Sequence, residues 1–121
     1  MAIQRVDAAE SAAAVSLLSA EAPRLIFKHS PRCGISAMAF TEVSVFAHAH
    51  PDLPVFLVDV IAQRALSQQI ARELGVPHES PQLIFVVAGQ PHWTASHGDI
   101  TAQAIERLLS AFPAFHPGTL S

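Results

Sequence analysis

Three brief apolar runs, "RLIFKH" at 24–29, "VFLVDV" at 55–60 and "QLIFVV" at 82–87, do most to limit what this chain can fold into. They are continuous rather than alternating, which is the pattern of central strands covered on both faces. A sheet with helices on either side is the arrangement that supplies two covers. The intervening segments read accordingly. From about Cys33 to Ala49 a helical pattern sets Ile35, Met38, Ala39, Val43 and Phe46 on one side, and "HPDLP" at 50–54 stops it. A second helix runs from about Ala62, with Ala62, Leu66, Ile70 and Leu74 four apart, to Gly75, a natural C′ residue.

The ends of the chain complete the order. "AIQRV" at 2–6 is a short alternating candidate for a first strand. Asp7 is then an N-cap, with Glu10 three residues on as in a capping box, for a helix to about Ala20 that carries Val15 and Leu18; Pro23 breaks it. After 82–87, "AGQP" with Gly89 supplies hairpin chemistry before a weaker strand at 92–96. A last helix at about 100–111 carries Ile100, Ala104, Leu108 and Phe112, and 112–121 form a tail. The order β-α-β-α-β-α-β-β-α predicts a parallel first half and an antiparallel hairpin, within a single mixed sheet. This α/β order is that of the thioredoxin fold, although other mixed α/β sheets share it, and at 121 residues it fills one domain, 1–121.

Composition narrows the function. Half the residues are apolar and 14% are charged, so the chain is built to fold rather than to stay disordered. Net charge is −3, and the seven basic residues, at 5, 24, 28, 32, 64, 72 and 107, form no run able to neutralise a phosphate backbone. Nucleic acid is not an expected partner. "SAAAVSLLSA" at 11–20 resembles the apolar part of a signal peptide, but Asp7 and Glu10 stand where cations belong, and it reads as a helix. Asp59 interrupts the best membrane-span candidate. A single cysteine closes no internal disulfide, which points to a reducing compartment and a cytoplasmic protein.

That cysteine, Cys33, lies five positions after the only lysine, Lys28, in "KHSPRCGIS". It falls where a central strand gives way to a helix. Free N–H groups and the positive end of the helix dipole favour a thiolate there, and Lys28 and Arg32 add positive charge. Ser36, three residues on, shares the first turn and is expected to hydrogen-bond the sulfur; His29 is within reach of the same site. The structural alternative is a buried, inert cysteine. Pro31 and Gly34 both have ordinary turn explanations.

"CGIS" at 33–36 resembles the C-x-x-S form of the thioredoxin-family C-x-x-C motif, with Ser36 in the place of the resolving cysteine. Together "FKHSPRCGIS" at 27–36, "HESPQ" at 78–82 and "ASHGDIT" at 95–101 resemble the YtxJ-type monothiol bacilliredoxins, across essentially the whole chain. The resemblance implies that Cys33 is the nucleophile and that Ser80-Pro81 is a cis-proline dipeptide facing it across a substrate groove. It implies bacillithiol as the external thiol and S-thiolated proteins as partners; a monomer or weak dimer is expected. The family often has proline after the cysteine. Gly34 departs from that pattern toward the monothiol glutaredoxins, whose C-G-F-S signature serves thiol-dependent [2Fe–2S] binding.

One thiol can attack a protein mixed disulfide and carry away a small thiol, but an external thiol must regenerate it. The alternatives are a cluster carrier and a non-enzymatic thioredoxin-like module that uses its groove for partners and Cys33 as a redox sensor. The seven histidines do not argue for a metal: His48 and His50, at i, i+2, do not share a helix face. His78 and His97 read as solvated or capping residues, Asp59 as a strand-end carboxylate, and Trp93 as edge or core packing.

Overall fold

The computed structural model describes residues 3–6 and 17–112. Five strands, β1 (Ile3–Arg5), β2 (Arg24–His29), β3 (Val55–Asp59), β4 (Gln82–Val87) and β5 (Gln90–Ser96), form one sheet in the order β1-β3-β2-β4-β5. Strand β3 runs parallel to β1 and β2, whereas β4 is antiparallel to β2 and β5. The parallel half and terminal hairpin follow the expected order. The proposed cap at Asp7 and Glu10, the start of the first helix and the tail lie outside the described residues; residues 17–19 are helical.

Alternation along the strands divides the interior in two. Leu25, Phe27, Val55, Leu57, Leu83 and Phe85 face one core, which α1 (Gly34–Ala49) and α3 (Ala102–Ala111) cover with Val43, Phe46, Ile105 and Leu109. Ile26, Val58, Ile84 and Val86 face the other, beneath α2 (Arg64–Leu74) and Leu17. Both faces of β2 and β4 are therefore dry. That is why their sequences are unbroken apolar runs, while edge strand β5 alternates exposed and half-buried residues. Trp93 lies opposite Phe85 and packs on the first core, the structural role expected of it.

Local chemistry sets the element ends. Gly75 caps α2 at φ 67°, where a glycine costs least. Ala88 and Gly89, at φ 51° and 77°, make the two-residue β4–β5 turn with both central residues left-handed. Gly89 also abuts the first helix: an added Cβ would sit 2.8 Å from the Leu18 carbonyl oxygen. Asp59 Oδ1 accepts the N–H groups of Ile61 and Ala62 at 2.9 and 3.0 Å, so it organises the turn into α2 as a strand-end carboxylate.

Three expected boundaries or faces shift. Helix α2 starts at Arg64 and leaves Ala62 exposed, because Asp59 holds the preceding turn. Helix α3 starts at Ala102, capped by the Thr101 hydroxyl, while Ile100 is buried just before it. On α1 the buried face is Ser36, Ala39, Val43, Phe46 and Ala47, so Ile35 (49% exposed) and Met38 (71%) face outward. Helix α1 is apolar on most sides, and periodicity alone does not select its inner face.

Candidate active site

The end of β2 leads through Ser30–Arg32 directly into α1, and Cys33 is the residue at the joint. It is the N-cap of α1, in extended conformation (φ −111°, ψ 127°). Its N–H donates to the Ser30 carbonyl at 3.2 Å, and its own carbonyl accepts from the Ala37 N–H at 3.0 Å. No side chain caps this helix, and its first turn holds no acidic residue. The half-exposed thiol of Cys33 thus sits at a helix end whose backbone donors no side chain has taken. Arg32 and Gly34 flank it and are exposed. Gly34 is the first helical residue, and an added Cβ would meet nothing within 4 Å.

Ser36 is fully buried. Its hydroxyl accepts the Ser30 N–H at 2.9 Å and lies 2.7 Å from His29 Nδ1. Those bonds fasten the loop before Cys33 to the helix after it, so the expected bond from Ser36 to the sulfur is replaced by two structural ones. His29 packs against Phe27 and Phe40 with tilted rings, at centroid distances of 5.4 and 5.3 Å. Burial pushes its pKa below the usual imidazole value, against the pull of Asp59 and with a smaller push from Arg5, so the ring is neutral at neutral pH.

The Ser80–Pro81 peptide is cis. Pro81 is buried, and its carbonyl accepts the His97 N–H at 3.1 Å, which ties this loop to the turn after β5. The Ser80 hydroxyl is buried without a protein partner. Beside this turn a cavity of about 280 Å³ is lined by Ile35, Met38, Ala39, His97, Gly98 and Ile100. The outward-facing Ile35 and Met38 are one wall of an apolar groove that starts two residues from Cys33.

Lys28 is not part of this arrangement. Its neighbours Phe27 and Ile26 alternate between the two cores, and Lys28 shares the face of Ile26, under α2. It is fully buried there, with Nζ 3.2 Å from His78 Nδ1, an atom that also lies 3.3 Å from Ser67 Oγ. Burial lowers the Lys28 pKa to about 8. The structure therefore brings together Cys33, Ser36 and His29, and separates Lys28 from them by the sheet. Phe40, Ile35 and Met38 were missed as site residues; nothing distinguishes them in the sequence from core positions of α1. Among the described residues, no three histidine, cysteine or acidic side chains converge as a metal cluster would require.

The fold and its relatives agree with this geometry. A candidate oxidoreductase with a thioredoxin fold superposes with a TM-score of 0.77 at 27% identity, covering 88% of this chain and 92% of that one. A thioredoxin mutant from Halobacterium salinarum gives 0.70 at 19% identity (91% and 89% covered). Mitochondrial thioredoxin 3 from Saccharomyces cerevisiae gives 0.69 at 15% identity (90% and 94% covered). The sequence model of the monothiol bacilliredoxin BrxC matches residues 4–105, a span that holds Cys33, the cis-proline loop and strands β2 to β5, and the chain belongs to that family.

Proposed function

We propose that this protein removes a low-molecular-weight thiol, bacillithiol, from protein mixed disulfides, with Cys33 as its nucleophile. The observation that carries this reading is a single half-exposed cysteine at an uncapped helix N-terminus, whose C-x-x-S partner Ser36 is consumed by internal hydrogen bonds. Such a site can start an exchange and cannot finish it alone. The Cys33 thiolate attacks the small-thiol sulfur of the mixed disulfide. That S–S bond breaks, a new one forms between Cys33 and the small thiol, and the protein sulfur leaves with the electron pair and takes a proton from water. A second small thiol then attacks the adduct as its thiolate, which frees Cys33 and yields the small-thiol disulfide.

The groove beside Ile35 and Met38, with Ser80 on its cis-proline side, is where the substrate protein's chain would lie. The reaction needs no second cysteine and suits a reducing, cytoplasmic setting. A reporter protein carrying one bacillithiol, or one glutathione, on its own cysteine tests the reading. Release of the reporter thiol should follow enzyme concentration with the bacillithiol form and vanish in Cys33→Ser. Equal release by Cys33→Ser would remove Cys33 as the nucleophile; release from the glutathione form alone would remove bacillithiol as the thiol.

A further inference from the structure

Behind the sheet, at the same end as Cys33, lies a second cavity of about 300 Å³. Val60, Ile61, Arg64, Ser67, Gln68 and His78 line it. One of these, His78, contacts the buried Lys28 ammonium, and Ser67 in turn contacts His78. A buried ammonium is normally paired with a carboxylate, because the charge loses its hydration. Here the ammonium meets an imidazole nitrogen, and neither ion pair between described residues, His50–Glu106 or His97–Glu79, includes it. Arg64 adds a second cation from the first turn of α2, a turn that no side chain caps and that holds no acidic residue. Two carboxylates stand at the margin. Asp59 is engaged by Ile61 and Ala62 N–H groups, and Glu79 lies 3.7 Å from His97. The pocket therefore presents Arg64 and His78 on its wall, with the buried Lys28 behind His78, and no carboxylate is among its lining residues.

Its position relates it to the thiol. Val60 N–H donates to the His29 carbonyl at 3.0 Å, and Cys33 N–H turns back onto Ser30 at 3.2 Å. His29, bonded to the pocket wall, precedes Cys33 by four residues, a chain span of at most roughly 14 Å. The guanidinium fork and a desolvated ammonium suit a planar carboxylate, and the volume is that of a small group rather than a macromolecule. We infer that the Arg64–Ser67–His78 pocket, with Lys28 behind it, is an anion site that holds a carboxylate of the small thiol while its sulfur exchanges at Cys33. This rests on the exchange reading for its purpose, though not for the binding itself.

Two measurements keep the claims apart. In the first, isotope-labelled protein is titrated with malonate, inorganic phosphate and chloride at fixed ionic strength. Malonate should shift the backbone amide signals of Arg64, Ser67 and His78 saturably, and Arg64→Ala should abolish the effect while the remaining spectrum stays folded. No saturable shift with malonate, or one matched by chloride or by phosphate, overturns the carboxylate site. In the second, transfer onto Cys33 is timed from bacillithiol disulfide and from its ethyl ester, a pair that differs in carboxylate charge and in the small alkyl cap. The acid-over-ester preference should fall about tenfold in Arg64→Ala and hold in Arg72→Ala, at the far end of α2. An unchanged preference in Arg64→Ala overturns the inference. Absence of all transfer would count against the exchange reading, and the malonate titration would still decide the pocket.

Discussion

Lys28 and His29 are neighbours on β2, and both are buried, yet the two faces of the sheet treat them differently. His29 is neutral, packed against the tilted rings of two phenylalanines, and bonded to Ser36. Lys28 is a buried cation whose contact is another base. The first environment is complete as a structure: it fixes the loop and helix on either side of Cys33. The second is incomplete as a structure, since burying a charge without a counter-charge weakens a fold. Polar burial on the Cys33 face thus serves positioning, whereas on the α2 face it stands at the edge of a pocket that accommodates an anion.

The contrast can be broken from either side. His29→Ala should have the largest effect, a loss of about 2–4 kcal/mol on denaturant unfolding, since it removes packed ring volume and strands the Ser36 hydroxyl. Lys28→Met should move the other way. Replacing the buried ammonium with an apolar side chain of similar length should stabilise by about 1–3 kcal/mol at neutral pH. A destabilisation of the same size would show that the ammonium is better satisfied than its contacts indicate.

The same pair sharpens with pH. The Lys28 pKa falls from 10.5 unfolded to about 8 folded, so the unfolded chain binds more protons between those values. Its contribution is fully present above about 10.5 and is lost as pH falls through 8. His29 is also lowered, from 6.5, so its contribution is lost on acidification below that value. Lys28→Met should flatten the alkaline window of the stability profile and leave the acid window in place; loss of both windows would contradict separate environments.

Smaller effects follow on the Cys33 face. Ser36→Ala leaves the buried Ser30 N–H and His29 Nδ1 without their shared partner, and should cost about 1–3 kcal/mol by denaturant unfolding. Gly34→Pro should change stability by no more than about 0.5 kcal/mol, because the first helical position spends no N–H and the space for a side chain is open. A large loss there would mean that the Gly34 N–H is committed to a partner.

Much of this was legible before the structure. Three apolar runs located the three central strands, Gly75 marked the end of α2, and Gly89 marked the β4–β5 turn. The placement of Cys33 at a strand-to-helix joint, the cis Ser80–Pro81 peptide and the structural role of Asp59 were also legible. Lys28 was misplaced for a specific reason. Alternation states that residues 28 and 29 face opposite ways, but nothing in the sequence states which face α1 covers, so both were grouped with Cys33. Ile35 and Met38 were assigned to the core because α1 is apolar on most sides. The Lys28–His78 contact joins residues fifty positions apart, and local pattern carries no signal at that separation.

The most direct test of one-thiol chemistry is the intact mass of the protein after a single turnover with a bacillithiolated reporter, quenched before any free thiol is added. A Cys33 adduct heavier by one bacillithiol is expected, with the reporter released reduced. An adduct carrying the whole reporter, or none while the reporter is nonetheless reduced, would contradict it.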